Sequence, residues 1–352
     1  MKTIALFLSL LGFTSATTGI IELDEVKSMH KEWMSKHAKS YSSVEEEALR
    51  FNVFAANLEK ILEHNVKFSM GKSSFTMSMN GHGDLSFEEW SASKLSFKPS
   101  PKLTNLFPSF SLFTDHHSGV HTAPLIRGIE APTTVDWRAK GAVTPVKDQG
   151  QCGSCWSFSA TGSMEGAHFL KTGQLVSLSE EQLINCVNSG SYDCNSGGDM
   201  IEAFKYVISN KGIVSEDSNP YETKDHETCT YKAGVGTYAA TFSSFKTVTS
   251  NDEVALASAV AITPVSVAID ASQQSFQFYS SGVYDEPSCC TNCQQSDLDH
   301  GVLAVGYGTD NGSDYWLIKN SWNSGWGDAG YIKMKRGNGQ CGVATYASYP
   351  VV

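Results

Sequence analysis

The sequence predicts an α+β protein: a helical leading segment, then a two-lobe unit with a helical first half and a β-stranded second half. Three observations carry this. Apolar residues recur at helical spacing in residues 22–67 and again after Cys155 and Met200. Beyond residue 230, short apolar runs are bounded by turn signals. All nine cysteines lie after residue 150, which sets the first 130 residues apart from the rest. A chain of 352 residues is longer than one core usually serves.

Taken in order, "MKTIALFLSLLGFTSA" has Lys2, an apolar stretch from Ile4 to Leu11, and small residues ending at Ala16. That is the pattern of a secretory signal peptide over 1–16, too short to span a bilayer. In residues 22–67, Leu49, Val53, Phe54, Leu58, Ile61 and Leu62 fall at helical spacing, and Ser43 with Glu46 resembles a capping box. Ser93 to Pro132 is Ser- and Pro-bearing and reads as a linker. A helix fits Cys155 to Leu170, stopped by Gly173, and another fits Met200 to Ser209. "HGVLAVGYG" and "DYWLIKNSW" flank a turn at Asn311-Gly312, and "GYIKMKR" adds a strand. No internal repeat is found.

The net charge is −11 with no basic run, which argues against nucleic acid or an anionic membrane surface as a partner. A secreted chain matures in an oxidising compartment, so its cysteines are mostly paired, and an odd number leaves one thiol over. The stretch "QGQCGSCWSFS" (Gln149–Ser159) therefore has several readings. Zinc wants four Cys or His ligands; Cys289, Cys290 and Cys293 could form a second cluster, but no histidine stands at ligand spacing near either. A redox pair wants a leading β-α-β pattern, which is absent. A nucleophile wants a lowered thiol pKa, and Cys155 falls on the first turn of the predicted helix, at its positive end. A histidine partner can come from far along the chain. Of the three beyond residue 130, His168 lies inside the helix and His226 in an acidic loop. His300 opens a strand about 145 residues after Cys155. Asn320 in "IKNSW" is the leading candidate to orient it. No metal or cofactor is expected.

These motifs resemble one family. "QGQCGSCWSFS", "LDHGVLAVGYG" and "IKNSWNSGWG" together look like the papain family of cysteine peptidases, nearest the cathepsin L branch. "TTVDWRAKGAV" resembles the mature start and "CGVATYASYP" the end. Glu46, Arg50, Phe54, Asn57, Ile61 and Asn65 reproduce the spacing of the family's prosegment helix motif. Asn80 and Asp84 fit its second motif, with His82 where a packed Phe is expected.

The resemblance implies a helical prosegment over 17–130 and a mature enzyme over 131–352. That enzyme would have the papain-like fold, a helical lobe beside a β-barrel-like one. It implies a zymogen of a secretory-pathway cysteine endopeptidase, with an open cleft and no occluding loop. Cys155 would be nucleophile, His300 acid and base, and Asn320 its orienter under Trp322. Gln149 and the Cys155 N–H would form the oxyanion hole. Gly198 would hold substrate backbone, while Asp199, Met200, Ala268, Leu298, Gly301 and Tyr346 would line the pocket for the residue two before the cut bond. Asp199 could equally face solvent. Tyr346 stands where cathepsin L has a small residue, so a shortened pocket preferring Leu or Val over Phe is expected. Disulfides Cys152–Cys194, Cys186–Cys229 and Cys289–Cys341 are implied. Cys290 and Cys293 could pair with each other, or Cys290 could replace Cys289. Asn311 heads the sequon Asn-Gly-Ser at a hairpin tip. Partners would be protein and peptide substrates, the chain's own prosegment and cystatin-like inhibitors, in a lysosome-like or extracellular setting. The alternative is a catalytically idle peptide-binding homologue.

Overall fold

The structure, a computed structural model, describes residues 22–100, 118–122, 132–223, 228–231 and 237–352. The leader peptide, the expected junction at Ala131 and His226 lie outside these. The leading helical stretch divides into α1 (Leu23–Lys36) and α2 (Val44–Ser69). The break falls where Ala38 takes a left-handed φ of 50° and Ser43 caps α2, its hydroxyl accepting from Glu46 N. The Glu46 carboxylate reaches back to Ser42, one residue before the Ser43 that a closed box requires. Val26 and Trp33 of α1 pack on Phe54 and Leu58 of α2. Leu49, expected on the apolar face, is exposed.

The polar motif residues of α2 anchor the chain from Met77 to Glu89. Arg50 bonds the Asp84 carbonyl and pairs with Glu89; the Asn57 amide donates to the carbonyls of Gly83 and Leu85. The Asn65 side chain bonds both N–H and C=O of Met77, pinning β1 (Phe75–Met77). α3 (Phe87–Lys94) starts at a full capping box, Ser86 with Glu89.

The span read as a linker is a different object. Lys94 ends α3, residues 95–100 cross the enzyme, and 118–121 form a strand, β2 (Ser118–His121). These segments bind largely through their backbones, so no apolar period marks them. β3 (Val135–Asp136) then opens the enzyme. Its first lobe packs α4 (Cys155–Thr172), α5 (Glu180–Cys186) and α6 (Met200–Ser209) around Trp156, Met164, Leu183 and Phe204. α4 ends at Gly173, whose φ of 77° favours glycine.

The second lobe contains β4 (Ser244–Val248), α7 (Glu253–Val260), β5 (Val265–Ile269), α8 (Gln274–Gln277), β6 (Tyr279–Tyr284), β7 (His300–Asp310), β8 (Ser313–Lys319), β9 (Tyr331–Lys335) and β10 (Tyr346–Val351). The described strands join in the order β1-β6-β9-β8-β7-β5-β10-β4-β2, with β3 on β7. Both ends of this path are strands from the leading segment.

Disulfides join Cys152–Cys194, Cys186–Cys229, Cys289–Cys341 and Cys290–Cys293, leaving Cys155 free. Where the lobes meet, Lys147 Nζ donates to Glu165 of α4 at 2.9 Å and to Glu180 of α5 at 2.6 Å. Thr144 bridges Glu165 to Lys319, the residue before Asn320. Burial opposes the Lys147 charge, but the two carboxylates outweigh it and hold its pKa up. Removing one member of such a group leaves buried charge uncompensated, typically at about 3–5 kcal/mol. Lys147→Met on a Cys155→Ala background should therefore unfold at markedly lower denaturant concentration. A midpoint equal to that of the parent would show that this group does not hold the lobes together.

Candidate active site

Cys155 is the first residue of α4, and its side chain is fully buried. Gly301 N, at the start of β7, donates to its sulfur at 3.4 Å. A Cβ on Gly301 would lie 3.1 Å from the Trp156 Cα and 3.2 Å from the Met200 sulfur, so a side chain here would push β7 back by a few tenths of an ångström. The close approach of β7 carries the neighbouring His300 to the thiol.

His300 Nε2 lies 2.9 Å from Asn320 Oδ1. The same oxygen accepts from Ser321 N at 2.8 Å, which fixes the amide's orientation. An oxygen acceptor places the proton on Nε2 and leaves Nδ1 as the basic atom. Nδ1 is buried with no hydrogen-bond partner among the described residues. Trp322 stacks on the imidazole with centroids 4.7 Å apart, and both rings are buried. Gln149 is set by the same tripeptide: Ser321 Oγ and Trp322 Nε1 donate to its Oε1 at 2.8 and 2.9 Å. Its Nε2 must then be the donor end. It reaches the Cys152 carbonyl at 3.0 Å and the Lys94 carbonyl of the leading segment at 3.4 Å. Ser321 was missed in the sequence, although it lies within "IKNSW"; nothing there shows what its hydroxyl touches.

The leading segment seals this site. Trp90 packs edge-on against Trp322 at 5.3 Å. Lys94 Nζ bonds the Gly150 carbonyl. Ser96 Oγ lies 3.5 Å from the Cys155 sulfur, so a hydroxyl of the leading segment meets the thiol. Phe97 bridges Gly198 in parallel; Phe97 N donates to Asp299 O at 2.9 Å and Lys98 N to Gly198 O at 3.1 Å. Gly197 has a φ of 69°, and a Cβ there would overlap the Ser96 carbonyl oxygen. Burial pushes the Cys155 thiol up, and it pushes His300 down to about 4 against the help of Asn320. The Lys94 ammonium lowers His300 further. In the intact chain the pair is thiol and neutral imidazole.

The expected pocket residues Met200, Ala268, Leu298 and Tyr346 are buried in one apolar cluster with Phe97. Asp199 does not face solvent. It caps α6 through Ile201 N at 2.7 Å, and its other oxygen accepts from Tyr346 Oη at 2.6 Å and Ser100 N at 2.7 Å. The Phe97 ring of the leading segment sits buried 5.2 Å from Tyr346, whose hydroxyl is drawn to Asp199. Asn311 is exposed at the β7–β8 turn, with a φ of 48°.

His82 accepts on its carbonyl from Gln277 of the enzyme, and its mostly buried ring meets Trp322 edge-on at 6.1 Å. Asp84 is taken by Lys39 and Tyr41 and does not pair with His82. Burial first, then the cations of Lys94 and Lys39, lower the His82 pKa to about 3.

Among the described residues, no group of three or more His, Cys, Asp or Glu could hold a metal ion, and no helix is long and apolar enough to cross a membrane. Residues 131–351 match the papain family cysteine protease and residues 30–90 the cathepsin propeptide inhibitor domain (I29). The chain is 46% identical over 354 residues to a cathepsin L-like peptidase of Aedes aegypti, covering 97% of this chain and 98% of that one. It is 45% identical to digestive cysteine proteinase 1 of Homarus americanus, with both chains fully covered. The structure of digestive procathepsin L 3 from Tenebrio molitor larval midgut superposes with a TM-score of 0.80 at 40% identity, covering 93% of this chain and 99% of that one. These likenesses favour a protease over an idle binding protein. The chain belongs to the papain family of cysteine proteases and is a cathepsin L-like zymogen that carries its own inhibitor domain.

Proposed function

We propose that residues 1–16 are a leader, 17–130 the inhibitory prosegment and 131–352 the mature endopeptidase, with Cys155, His300, Asn320 and Gln149 as its catalytic set. The observation that carries this reading is the Cys155–His300–Asn320 constellation with Gln149 aimed into the same cleft. Once the prosegment leaves, His300 Nδ1 takes the Cys155 proton and the thiolate attacks the substrate carbonyl carbon. The oxyanion is held by Gln149 Nε2–H and Cys155 N–H. His300 returns the proton to the leaving nitrogen, the C–N bond breaks, and a thioester remains. Water, deprotonated by His300, then displaces the sulfur and releases the acid. Asn320 keeps Nδ1 directed at the thiol, and Trp322 keeps water from the Asn320–His300 bond. Gly198 holds the substrate backbone. The paired cysteines and an exposed Asn311 suit the secretory route, with a lysosome-like or digestive extracellular setting. Cystatin-like inhibitors would compete for the same cleft.

Three outcomes test this reading. First, with fluorogenic peptides, Phe two residues before the cut bond should be cleaved at least as well as Leu, since Phe97 already sits against Tyr346. A tenfold preference for Leu, about 1.4 kcal/mol, would mean Phe97 is a poor guide to substrate. Cys155→Ala should abolish activity in the same assay.

Second, acid activation should expose a new N-terminus near Ala131. Ile126 before Arg127 and Ile129 before Glu130 both place an aliphatic residue suitably for self-cleavage. Sequencing that finds a start beyond Val135 would contradict this, because β3 would be lost from β7.

Third, a histidine whose folded pKa lies below its free value binds protons mainly when unfolded. The stability it provides is complete above about 6.5 and falls by up to about 1.4 kcal/mol per pH unit below that. His82→Phe on a Cys155→Ala background should move prosegment unfolding to lower pH, followed by the fluorescence of the Trp90–Trp322 contact. An unchanged midpoint would discard His82 as a sensor.

A further inference from the structure

The sheet path ends on β1 at one side and β2 at the other. β1 is tied to α2 through Asn65 and so belongs to the inhibitor's helical body. β2 is a separate attachment. It pairs parallel with β4, from Ser118 opposite Phe245 to His121 opposite Val248. Ser118, Gly119 and Val120 are exposed, so His121 carries the side-chain contact. Its carbonyl accepts from Thr249 N at 3.0 Å and Thr249 Oγ1 at 3.2 Å. Its ring lies between two elements of the enzyme, with Nδ1 2.9 Å from Tyr349 Oη of β10 and Nε2 2.7 Å from Ser258 Oγ of α7.

The direction of those bonds can be assigned. Ser258 spends its own hydrogen on the Ala255 carbonyl at 2.8 Å, so toward His121 it accepts. Nε2 therefore carries the proton, and Nδ1 accepts from Tyr349 Oη. The neutral imidazole makes both bonds in this tautomer. A second proton would take the nitrogen to which Tyr349 donates, reverse that bond, and place a charge beside Lys246 and Lys171. The charged groups at the adjoining cavity of about 410 Å³ are Lys246 of β4 and Lys171 of α4, both positive, and the terminal carboxylate of Val352; no acidic side chain lines it. Glu253, at the far end of α7, is engaged with Trp316, Gly337 and Gly339. Burial, then Lys246, lowers the His121 pKa.

We propose that the β4 edge, with Tyr349 and Ser258, is a second docking surface for the prosegment, distinct from the cleft. It takes an extended strand ending in a neutral histidine and lets it go in mild acid. His121 precedes Ala131 by ten residues, so this surface fixes the chain close to the expected junction. Docking favours the neutral ring, which is half-buried beside Lys246 and Lys171. It is complete above about pH 6.5 and weakens by up to tenfold for each pH unit below that.

The test uses the full chain carrying Cys155→Ala, which cannot process itself. Hydrogen exchange of residues 244–249 is read together with the Trp90–Trp322 fluorescence. Corrected for the base-catalysed intrinsic rate, the protection of the amides that face β2, Thr249 N foremost, should fall at least tenfold between pH 7.5 and pH 5.5, before the fluorescence changes. His121→Ala should give the lower protection already at pH 7.5 with the fluorescence intact, and Tyr349→Phe should give an intermediate protection. Exchange that His121→Ala leaves unaltered would overturn the proposal. So would protection that falls only when the tryptophan contact is lost, since β2 would then be carried along passively. In the catalytically intact chain, His121→Ala should process at least threefold faster at pH 6. The mature enzyme, which lacks residue 121, should keep its kcat/KM. Equal processing rates would rule out a latch.

Discussion

One oxygen atom organises the catalytic geometry. Asn320 Oδ1 accepts from His300 Nε2 and from Ser321 N, which fixes the amide, the imidazole tautomer and the path of the next two residues. Those two residues, Ser321 and Trp322, hold the Gln149 amide by its oxygen. The proton acceptor at Nδ1 and the donor at Gln149 Nε2 are thus set from one tripeptide. A site assembled this way needs little reorganisation as charge develops, which is where preorganised donors are most effective. It also explains why the lobes are joined by ions directly behind it. Lys319, one residue before Asn320, is bonded through Thr144 to Glu165 of the helix that bears Cys155.

The prosegment inhibits with the same backbone chemistry that holds a substrate, used unproductively. Its crossing segment bonds Gly198 and Asp299 and packs a phenyl ring against Tyr346, and it offers Cys155 a hydroxyl. It also changes the ionisation of the groups it covers. Excluding water from a thiol and an imidazole favours their neutral forms, and the Lys94 cation works in the same direction on His300. Steric closure and suppression of the ion pair are therefore one event. Strands β1 and β2 extend the arrangement to both ends of the sheet path, where open edges would otherwise expose unpaired backbone groups.

The legible parts of the sequence were those written in local chemistry. The helix at Cys155, its stop at Gly173, the helix Met200–Ser209 and the Asn311-Gly312 hairpin depend on short-range rules, and the structure places them there. The positions of Cys155, His300, Asn320 and Gln149 followed from the family's spacing. The readings that failed depended on partners distant in sequence. Within the stretch from Ser93 to Pro132, the described residues 95–100 and 118–121 have no apolar period because many of their bonds run from backbone to another part of the chain. Asp199 could not be placed without Tyr346 and Ser100, which its buried carboxylate meets. Ser321 and Tyr349 read as ordinary residues until their hydroxyls meet Gln149 and His121.

Acid acts on the two halves of this molecule in a fixed order. The described prosegment histidines, His30, His37, His64, His82 and His121, are all held below the ordinary value, with burial the leading cause in each. Each favours protonation of the unfolded segment as pH falls below about 6.5, and their slopes add where the sites are independent. Carboxylates such as Glu46, lowered by Ser42, and Glu89, lowered by Arg50, act in the same direction but only near the carboxylate range. His300 behaves differently. Under the prosegment it stays neutral down to about pH 4, so moderate acid cannot charge the catalytic pair in place. Activation must therefore come through release: the inhibitor loosens while the site beneath it is still uncharged. The ion pair forms only when water returns to Cys155 and His300.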